Sequence, residues 1–334
     1  MKEFEAKKKI IGMLTKDKDD FVSGEAISRE LEISRACVWK YIGMLREEGY
    51  QIEASPRRGY HIGAFPDKLY GYELENHLKG TLIGKKHVHY YDVLGSTNTK
   101  AYELAEKGEE EGAIVIAEEQ TSGKGRLGRK WFSPKSGGIY LSVILRPRAE
   151  IDTLPVLSLA AGAAVAEAVN ELFDLDAKIK WPNDVFVNGK KIAGILAEIK
   201  AQPDKIDFLI LGLGININSL EKELPLEGTS LRVETGRDID RLNFLKCLLS
   251  HLDKNYNEFK LNGFVSLRTE CKRLSMLLDK DVKVNILNKV IEGKAVDIDE
   301  KGALMVEGKN GKKHRIFSGD VTLCREKLKA SKGR

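Results

Sequence analysis

Cysteine is scarce in this 334-residue chain: Cys37, Cys247, Cys271 and Cys324 lie far apart and form no C-x-x-C pair. That spacing speaks against a disulfide framework and against a cysteine zinc site, and it fits a reducing, cytoplasmic setting. Long apolar runs are missing as well. The longest, LSLAAGAAVAEAVNELF at 157–173, carries Glu167 and Glu171. It also falls short of the ~20 residues of a membrane span, so a buried helix is expected there. The opening MKEFEAKKKI lacks the apolar core of a signal peptide, and none is expected. Neither sign of charge dominates: 55 Lys+Arg against 50 Asp+Glu leave +5, which permits a polyanionic partner without requiring one. With 42% hydrophobic and 31% charged residues, the composition is that of an ordinary globular protein long enough for two or three domains.

What is present divides into regions. Residues 1–64 contain three helical segments, KKKIIGMLTK, SGEAISRELEIS and RACVWKYIGMLREEGY, with a brief break at Glu32–Ser34. Val38, Ile42 and Leu45 recur at helical spacing and face a core, and Ser34 is an N-cap for the third helix. YQIEASPRRGYHIG then reads as two short strands around a basic turn. Three helices and a basic hairpin are the layout of a winged helix-turn-helix, which sets its last helix in the DNA major groove. Arg35, Lys40, Arg57 and Arg58 supply the cations a phosphate backbone needs, and Ser34, Ala36 and Trp39 share the exposed helix. A protein-docking helical domain with a solvated charged face is the plainer alternative.

Residues 65–84 read as a linker and a helix, and residues 85–270 alternate strand-like with helix-like segments. In VFVNGKKIAGIL, Asn188-Gly189 between two apolar runs signals a tight hairpin, so the sheet of this α/β domain is expected to be mixed (α+β in connectivity). Residues 271–326 carry short strands, VKVNIL, VIEGKAVDID, ALMVEG and HRIFSGDVTL, separated by Asn288-Lys289, Lys301-Gly302 and Asn310-Gly311. This spacing suggests a small β-barrel. The tail, 327–334, is expected to be disordered.

The loop TSGKGRLGRKWFSP at 121–134 contains a formal G-x-G-x-x-G, Gly123 to Gly128. A dinucleotide fingerprint requires a helix opening at its glycines, so that pyrophosphate meets the helix N-terminus. Here Arg129-Lys130-Trp131-Phe132 runs straight into Ser133-Pro134, which rejects that reading, and no Gly-Lys-Ser/Thr ends the loop, which rejects a Walker motif. What remains is a glycine loop with Lys124, Arg126, Arg129 and Lys130, able to approach a ligand closely and neutralise phosphate. A basic surface loop is the alternative from this stretch alone. Elsewhere, KWPND contributes Asn183 and Asp184, GLGIN ends a strand with an amide, and Ser96-Thr97-Asn98 stands where a strand meets a helix. For this last group helix capping is the favoured reading. Lys191 shares strand parity with Ala193 and Ile195, which would aim it into an apolar pocket.

Taken together, the winged helix, STN, Q-x-x-G-x-G-R-x-G-R-x-W, KWPND, K-x-A-G-I-L, G-x-G-I-N and the C-terminal barrel resemble the bifunctional biotin–protein ligases that also repress the biotin operon. The match covers nearly the whole chain and implies a barrel of SH3-like type. It implies an enzyme that joins biotin and ATP into biotinyl-5′-adenylate and pyrophosphate, then passes biotin to one lysine of the biotin carboxyl carrier protein. The adenylate-loaded form would dimerise on operator DNA. Mg²⁺ would accompany the triphosphate, and no structural metal is expected.

On the same resemblance, Lys191 and Arg126 are the catalytic cations, holding two anions that must approach each other. Ser96, Thr97, Asn98, Gln120, Lys124, Gly125, Arg126, Lys191 and Gly194 would surround biotin. Gly123, Arg126, Arg129, Trp131, Asn183 and Asn216 would surround the nucleotide, with Trp131 covering adenine and Asn216 reading its edge. The loop would enclose the mixed anhydride and keep water from it. No residue of this chain is expected to be biotinylated during turnover. Two departures stand out: Lys124 and Leu127 replace cations common in relatives, which costs a bidentate fork, and Trp39 stands where a polar residue is commoner. A lipoate-type ligase, a ligand-sensing repressor without catalysis, and a ligase that no longer binds DNA are the alternatives.

Overall fold

The structure, a computed structural model, describes residues 3–16, 20–72, 74, 78, 80–84, 87–202, 205–286 and 289–324. Three helices come first: α1 (Glu3–Lys16), α2 (Gly24–Leu31) and α3 (Arg35–Glu47). Ser23 caps α2, accepting from the Ala26 amide at 3.0 Å, and Ser34 caps α3, accepting from Cys37 at 3.2 Å. Between them Glu32 turns left-handed at φ 55, ending α2. Ile10, Leu14, Ile27, Leu31, Val38, Ile42 and Leu45 are buried together, as the helical spacing requires. Each burial contributes about 1.5–3 kcal/mol, so packing rather than propensity holds an α2 of this length. A hairpin of β1 (Gln51–Ser55) and β2 (Gly59–Ala64) follows, tied back by the Val22–Tyr60 bridge. Gly59 is required there: its φ is +110°, and a Cβ would stand 2.2 Å from the Val22 carbonyl oxygen.

The helix expected within 65–84 falls partly on residues outside those described. The described part of this connector is anchored to the next domain, since the Leu69 amide donates to Glu118 Oε1 at 3.0 Å and Lys68 pairs with Asp92 at 2.9 Å.

A seven-stranded sheet follows, built from β3 (Val88–Leu94), β4 (Ile114–Gln120), β5 (Gly138–Leu145), β6 (Lys178–Lys180), β7 (Asp184–Val187), β8 (Lys190–Gln202) and β9 (Lys205–Asn216). Its order is β3-β4-β5-β9-β8-β7-β6. Only β3 and β4 run parallel, joined through α4 (Thr97–Glu106), so the sheet is mixed as expected. Helix α4 covers one face over Val115, Ile144, Phe208 and Ile210. Against the other face lies α5 (Val156–Leu172), whose small residues let α7 (Arg241–Asn262) approach closely; a short α6 (Leu231–Thr235) precedes α7, and α8 (Phe264–Arg273) follows. The stretch Ile151–Leu172 is apolar enough to pass for a membrane span, yet 67% of its apolar window is buried inside this core.

Helix α8 crosses the boundary drawn at 270/271, held by Cys271, which is 1% exposed. The C-terminal sheet begins only at Asp281, with β10 (Asp281–Ile286), β11 (Lys289–Ile298), β12 (Leu304–Glu307), β13 (Lys313–Ile316) and β14 (Asp320–Leu323). All pairings are antiparallel, in the order β13-β12-β11-β10-β14. The single segment read in HRIFSGDVTL is therefore two strands at opposite edges, broken at Gly319, where a Cβ would meet Val284 at 2.8 Å. Asn288 and the tail 327–334 lie outside the described residues. Trp181 fastens this sheet to the central one by donating from Nε1 to the Gly302 carbonyl at 2.9 Å.

Candidate active site

The β7–β8 hairpin builds one wall. Asn188 (φ 49) and Gly189 (φ 78) are both left-handed, the geometry that the Asn-Gly pair predicts. Past the turn, Phe186 pairs with Lys191 while Val185 pairs with Ala193, so Ile192 is an extra residue in a bulge. Ile192, Ala193 and Ile195 are buried in the core. Lys191 therefore does not share their face; the bulge breaks the expected parity and turns it to the side of Gly194. There its Nζ lies 2.6 Å from Asp184 Oδ1 and 5.3 Å from the centre of the Trp131 ring. Its backbone is clamped by the 224–229 segment: the Lys191 amide donates to the Glu227 carbonyl, and the Thr229 amide donates to the Lys191 carbonyl, both at 2.8 Å.

The glycine loop closes the opposite wall. It folds back on itself, with the Trp131 amide donating to the Gly123 carbonyl at 2.9 Å and the Gly125 amide to the Arg129 carbonyl at 2.7 Å. No room exists for a side chain at Gly123, whose Cβ would meet the Trp131 carbonyl oxygen at 2.4 Å. At the tip Leu127 is left-handed at φ 55 and 74% exposed. Arg126 donates to Asn183 Oδ1 at 2.9 Å, and Asn183 Nδ2 donates to the Ile195 carbonyl at 2.8 Å, so KWPND holds the arginine in place. Arg129 pairs with Asp320 of β14.

Between these walls is a cavity of about 270 Å³. It brings together Lys124, Gly125, Arg126, Arg129, Trp131, Asn183, Lys191, Gly194 and Asn216. A small recess adjoins it, lined by Ser96, Thr97, Asn98 and Gln120, and shares Lys124, Trp131, Gly194 and Leu196 with the cavity. Trp131 stands at the junction. Its indole rests on Gly194 and Gly214, where added Cβ atoms would lie 3.0 and 2.4 Å from the ring, and its Nε1 is buried without a hydrogen-bond partner. Gly123 sits apart, at the outer mouth of the loop.

The recess is a polar network. Thr97 donates from its amide (2.8 Å) and its hydroxyl (3.1 Å) to Gln120 Oε1, and Gln120 Nε2 donates to Ser133 at 2.9 Å. Asn98 Nδ2 donates to Glu198 Oε2 at 2.7 Å, while Ser142 Oγ lies 2.6 Å from Asn98 Oδ1. Asn98 and Gln120, expected at the ligand's edge, are thus committed to the frame of the recess. Ser96 occupies the N-cap position of α4, but its hydroxyl makes no capping bond, so capping is not what its side chain does. Asn216 similarly donates to the Thr229 carbonyl at 3.0 Å.

On the first domain, Arg35, Ala36, Trp39 and Lys40 of α3 are exposed beside Ser34, as are Arg57 and Arg58 in the hairpin turn. Trp39 is 70% exposed, and the Arg58 guanidinium stacks 4.1 Å above the Phe21 ring.

Residues 90–216 match the biotin/lipoate A/B protein ligase family, residues 7–61 a helix-turn-helix domain, and residues 277–323 the biotin protein ligase C-terminal domain. Across 321 residues the chain is 37% identical to the bifunctional ligase/repressor BirA of Bacillus subtilis, covering 95% of this chain and 98% of that one. It belongs to the biotin–protein ligase family, in the bifunctional ligase/repressor branch. The ligase/repressor of Escherichia coli is 32% identical over 314 residues, 92% of this chain and 94% of that one. Among solved structures of biotin–protein ligases, that of Aquifex aeolicus in complex with biotin and ATP is similar with a TM-score of 0.63 and 34% identity, covering 72% of this chain and 99% of that chain.

Several residues that shape this candidate site carry little sequence signal. Asp184 stands in KWPND only as a polar residue, and its pairing with Lys191 joins the two strands of the hairpin. Glu198, Ser142 and Asp320 come from three separate strands. Arg241 is fully buried, bonded to Glu118 at 2.8 Å and Asp67 at 2.7 Å, and donates to the Gly138 carbonyl at 3.0 Å. Burial alone would weaken its charge, but the two carboxylates raise its pKa above the usual arginine value. A lone arginine at the start of a helix gives no hint of this role.

Proposed function

We propose that this chain activates biotin with ATP and transfers it to a lysine of biotin carboxyl carrier protein, and that it represses biotin genes through its helix-turn-helix. The observation that carries the reading is the convergence of Lys191 and Arg126, from separate segments, on one cavity that opens into the Ser96 recess.

In the first step the biotin carboxylate attacks the α-phosphorus of ATP, the bond to the β-phosphate oxygen breaks, and pyrophosphate leaves. Two anions must meet, which in water is opposed by both their charges and their hydration. Lys191 neutralises both partners, and Arg126, held by Asn183, steadies the charge developing on the phosphorus. Asp184 keeps the Lys191 ammonium oriented until the substrates arrive. Biotin's ureido end enters the recess toward Ser96 and Thr97, with Gln120 and Asn98 fixing the polar frame; Lys124, Gly125 and Gly194 line its path. Trp131 moves off its two glycines to cover adenine, with Gly123, Arg129 and Asn216 around the nucleotide. Mg²⁺ suits the carboxylates that line the cavity, Asp184, Glu227 and Asp320, and would screen the triphosphate there. In the second step the carrier lysine attacks the acyl carbon and AMP leaves.

The finer architecture supports the same reading. The β1–β2 hairpin with Arg57 and Arg58 suits a wing beside a recognition helix bearing Ser34, Arg35, Ala36, Trp39 and Lys40. The five-stranded C-terminal sheet suits an SH3-like barrel. We assign DNA binding to 1–64, the connector to 65–84 and catalysis to the segment from 85 through α8. The barrel then follows up to about 326, and the adenylate-loaded form dimerises on DNA in the cytoplasm. Biotin-dependent ATP–pyrophosphate exchange, with lipoate and octanoate as parallel acids, tests the catalytic half. Exchange with biotin alone is expected; exchange only with lipoate overturns the substrate. Mobility shifts on biotin-gene promoters, with and without biotin and ATP, test the repressor half.

A further inference from the structure

Away from the cavity, the outer end of edge strand β3 gathers His87, His89 and Glu109, their ligand atoms all within 4.8 Å of one another. His87 Nδ1 lies 2.6 Å from Glu109 Oε1, and His89 Nε2 lies 2.8 Å from Glu109 Oε2. The two imidazoles stand two residues apart in a strand, hence on one face of it. Their backbones are fixed by pairing with β4: the Ile114 amide donates to the His87 carbonyl at 3.0 Å, and His89 is the partner of Val115. Glu109 is fixed independently, its amide donating to the Leu104 carbonyl at 3.0 Å just past α4.

We propose that His87, His89 and Glu109 form a binding site for a divalent transition-metal ion of the zinc type, separate from the ligase chemistry. Two neutral imidazoles and a carboxylate are the donor set such ions select over Mg²⁺ or Ca²⁺, which take all-oxygen shells. In a tetrahedral zinc site, with bonds near 2.1 Å, donor atoms lie about 3.4 Å apart. Both rings already present a nitrogen to the carboxylate and all three donors lie within 4.8 Å of one another, so side-chain rotation brings them to that spacing. Three protein donors leave the fourth position to water. The bound ion would rivet the start of β3 to the turn after α4, where the crossover leads into β4, at the opposite end of β3 from Ser96. The expectation of no structural metal rested on cysteine spacing, to which a His-x-His pair is invisible.

The test is titration of the full-length protein with CoCl₂ and ZnCl₂, followed by visible spectroscopy and calorimetry. One equivalent of Co²⁺ is expected to give a tetrahedral spectrum without a thiolate charge-transfer band. The double variant His87→Asn/His89→Asn should lose that equivalent while retaining biotin-dependent pyrophosphate exchange. Glu109→Gln should bind more than about 10-fold more weakly, at least the loss seen for outer-shell changes. Unchanged stoichiometry and affinity in the double variant would overturn the site. So would a thiolate band that persists in it, which would place the ion at Glu171, Cys247 and His251 instead, the other such group among the described residues.

Discussion

Lys191 Nζ and Asp184 Oδ1 lie 2.6 Å apart across the β7–β8 hairpin, joining diagonal neighbours on one of its faces. The bulge at Ile192 sets Gly194, which has no side chain, opposite Asp184, while Ile192 and Ala193 go into the core. The ion pair makes the ammonium a pre-aimed charge at the cavity wall instead of a mobile surface lysine.

Removing that charge should act on chemistry and leave the fold intact. Lys191→Ala is expected to lower the rate of biotin-dependent pyrophosphate exchange by about 10²–10³-fold, the scale of losing one preorganised electrostatic contact to a developing charge. Its melting temperature should stay close to that of the parent, since both partners are partly solvated and such pairs contribute about 1 kcal/mol or less. Parent-like exchange in this variant would remove Lys191 from the mechanism.

Gly212 reports on the recess. A Cβ there would lie 1.9 Å from Asn98 Oδ1, so Gly212→Ala must displace Asn98 and break its bonds to Glu198 and Ser142. We expect biotin binding, measured by calorimetry, to weaken by ten-fold or more, with destabilisation of about 1–3 kcal/mol from the strained and unsatisfied groups. Biotin affinity equal to the parent would show that Asn98 does not frame the biotin end.

The buried Arg241–Glu118 contact links the start of α7 to the strand that ends at Gln120. Both side chains are 0% exposed, so Glu118→Gln leaves a guanidinium without its buried counter-ion. Breaking a pair of this kind costs about 3–5 kcal/mol, and the remaining contact to the half-exposed Asp67 should hold the loss to the lower end. Urea unfolding read by fluorescence measures it; a loss below ~1 kcal/mol would mean that water or Asp67 replaces Glu118 fully.

Asp297 supplies a pH-dependent contact between the C-terminal sheet and α8. Burial raises its carboxyl, but hydrogen bonding from Lys272 and the Arg268 guanidinium, 2.6 Å away, outweigh that and hold it below the ordinary value of 3.8. A depressed folded-state pKa gives stability that is present above the unfolded value and lost as pH falls through the folded one. Asp297→Asn should therefore lower the melting temperature at pH 7 by the equivalent of about 1 kcal/mol or less, since the group is a third exposed. The difference from the parent should shrink in acid, below about pH 4. A gap that stays constant from neutral pH to acid would point to packing instead of charge.

The cap of α3, the Asn-Gly hairpin and the mixed sheet it implies were legible in one sequence, because each rests on contacts between neighbours in the chain. Ser34 caps α3, Asn188 and Gly189 take left-handed backbone, and Val38, Ile42 and Leu45 share a face: these follow from local sterics and helical periodicity. Ser133-Pro134 likewise shows that no α-helix follows the glycine loop. What lay beyond reach was whatever depends on two distant segments meeting. Periodicity placed Lys191 with Ala193, but a bulge is a choice between burying Ile192 and keeping register, and only the assembled core decides it. Ser96, read as a cap, makes no capping bond, while Asn98 bonds to Glu198 of β8 and Ser142 of β5, and Gln120 to Thr97 of α4 and Ser133 of the loop. The linking of Arg129 to Asp320, of Arg241 to Glu118 and Asp67, and of His87 and His89 to Glu109 arises the same way. Which residue types could do the chemistry was written in the chain, whereas which charges face each other was settled by packing, since the energy of an ion pair depends on a distance that no linear spacing encodes.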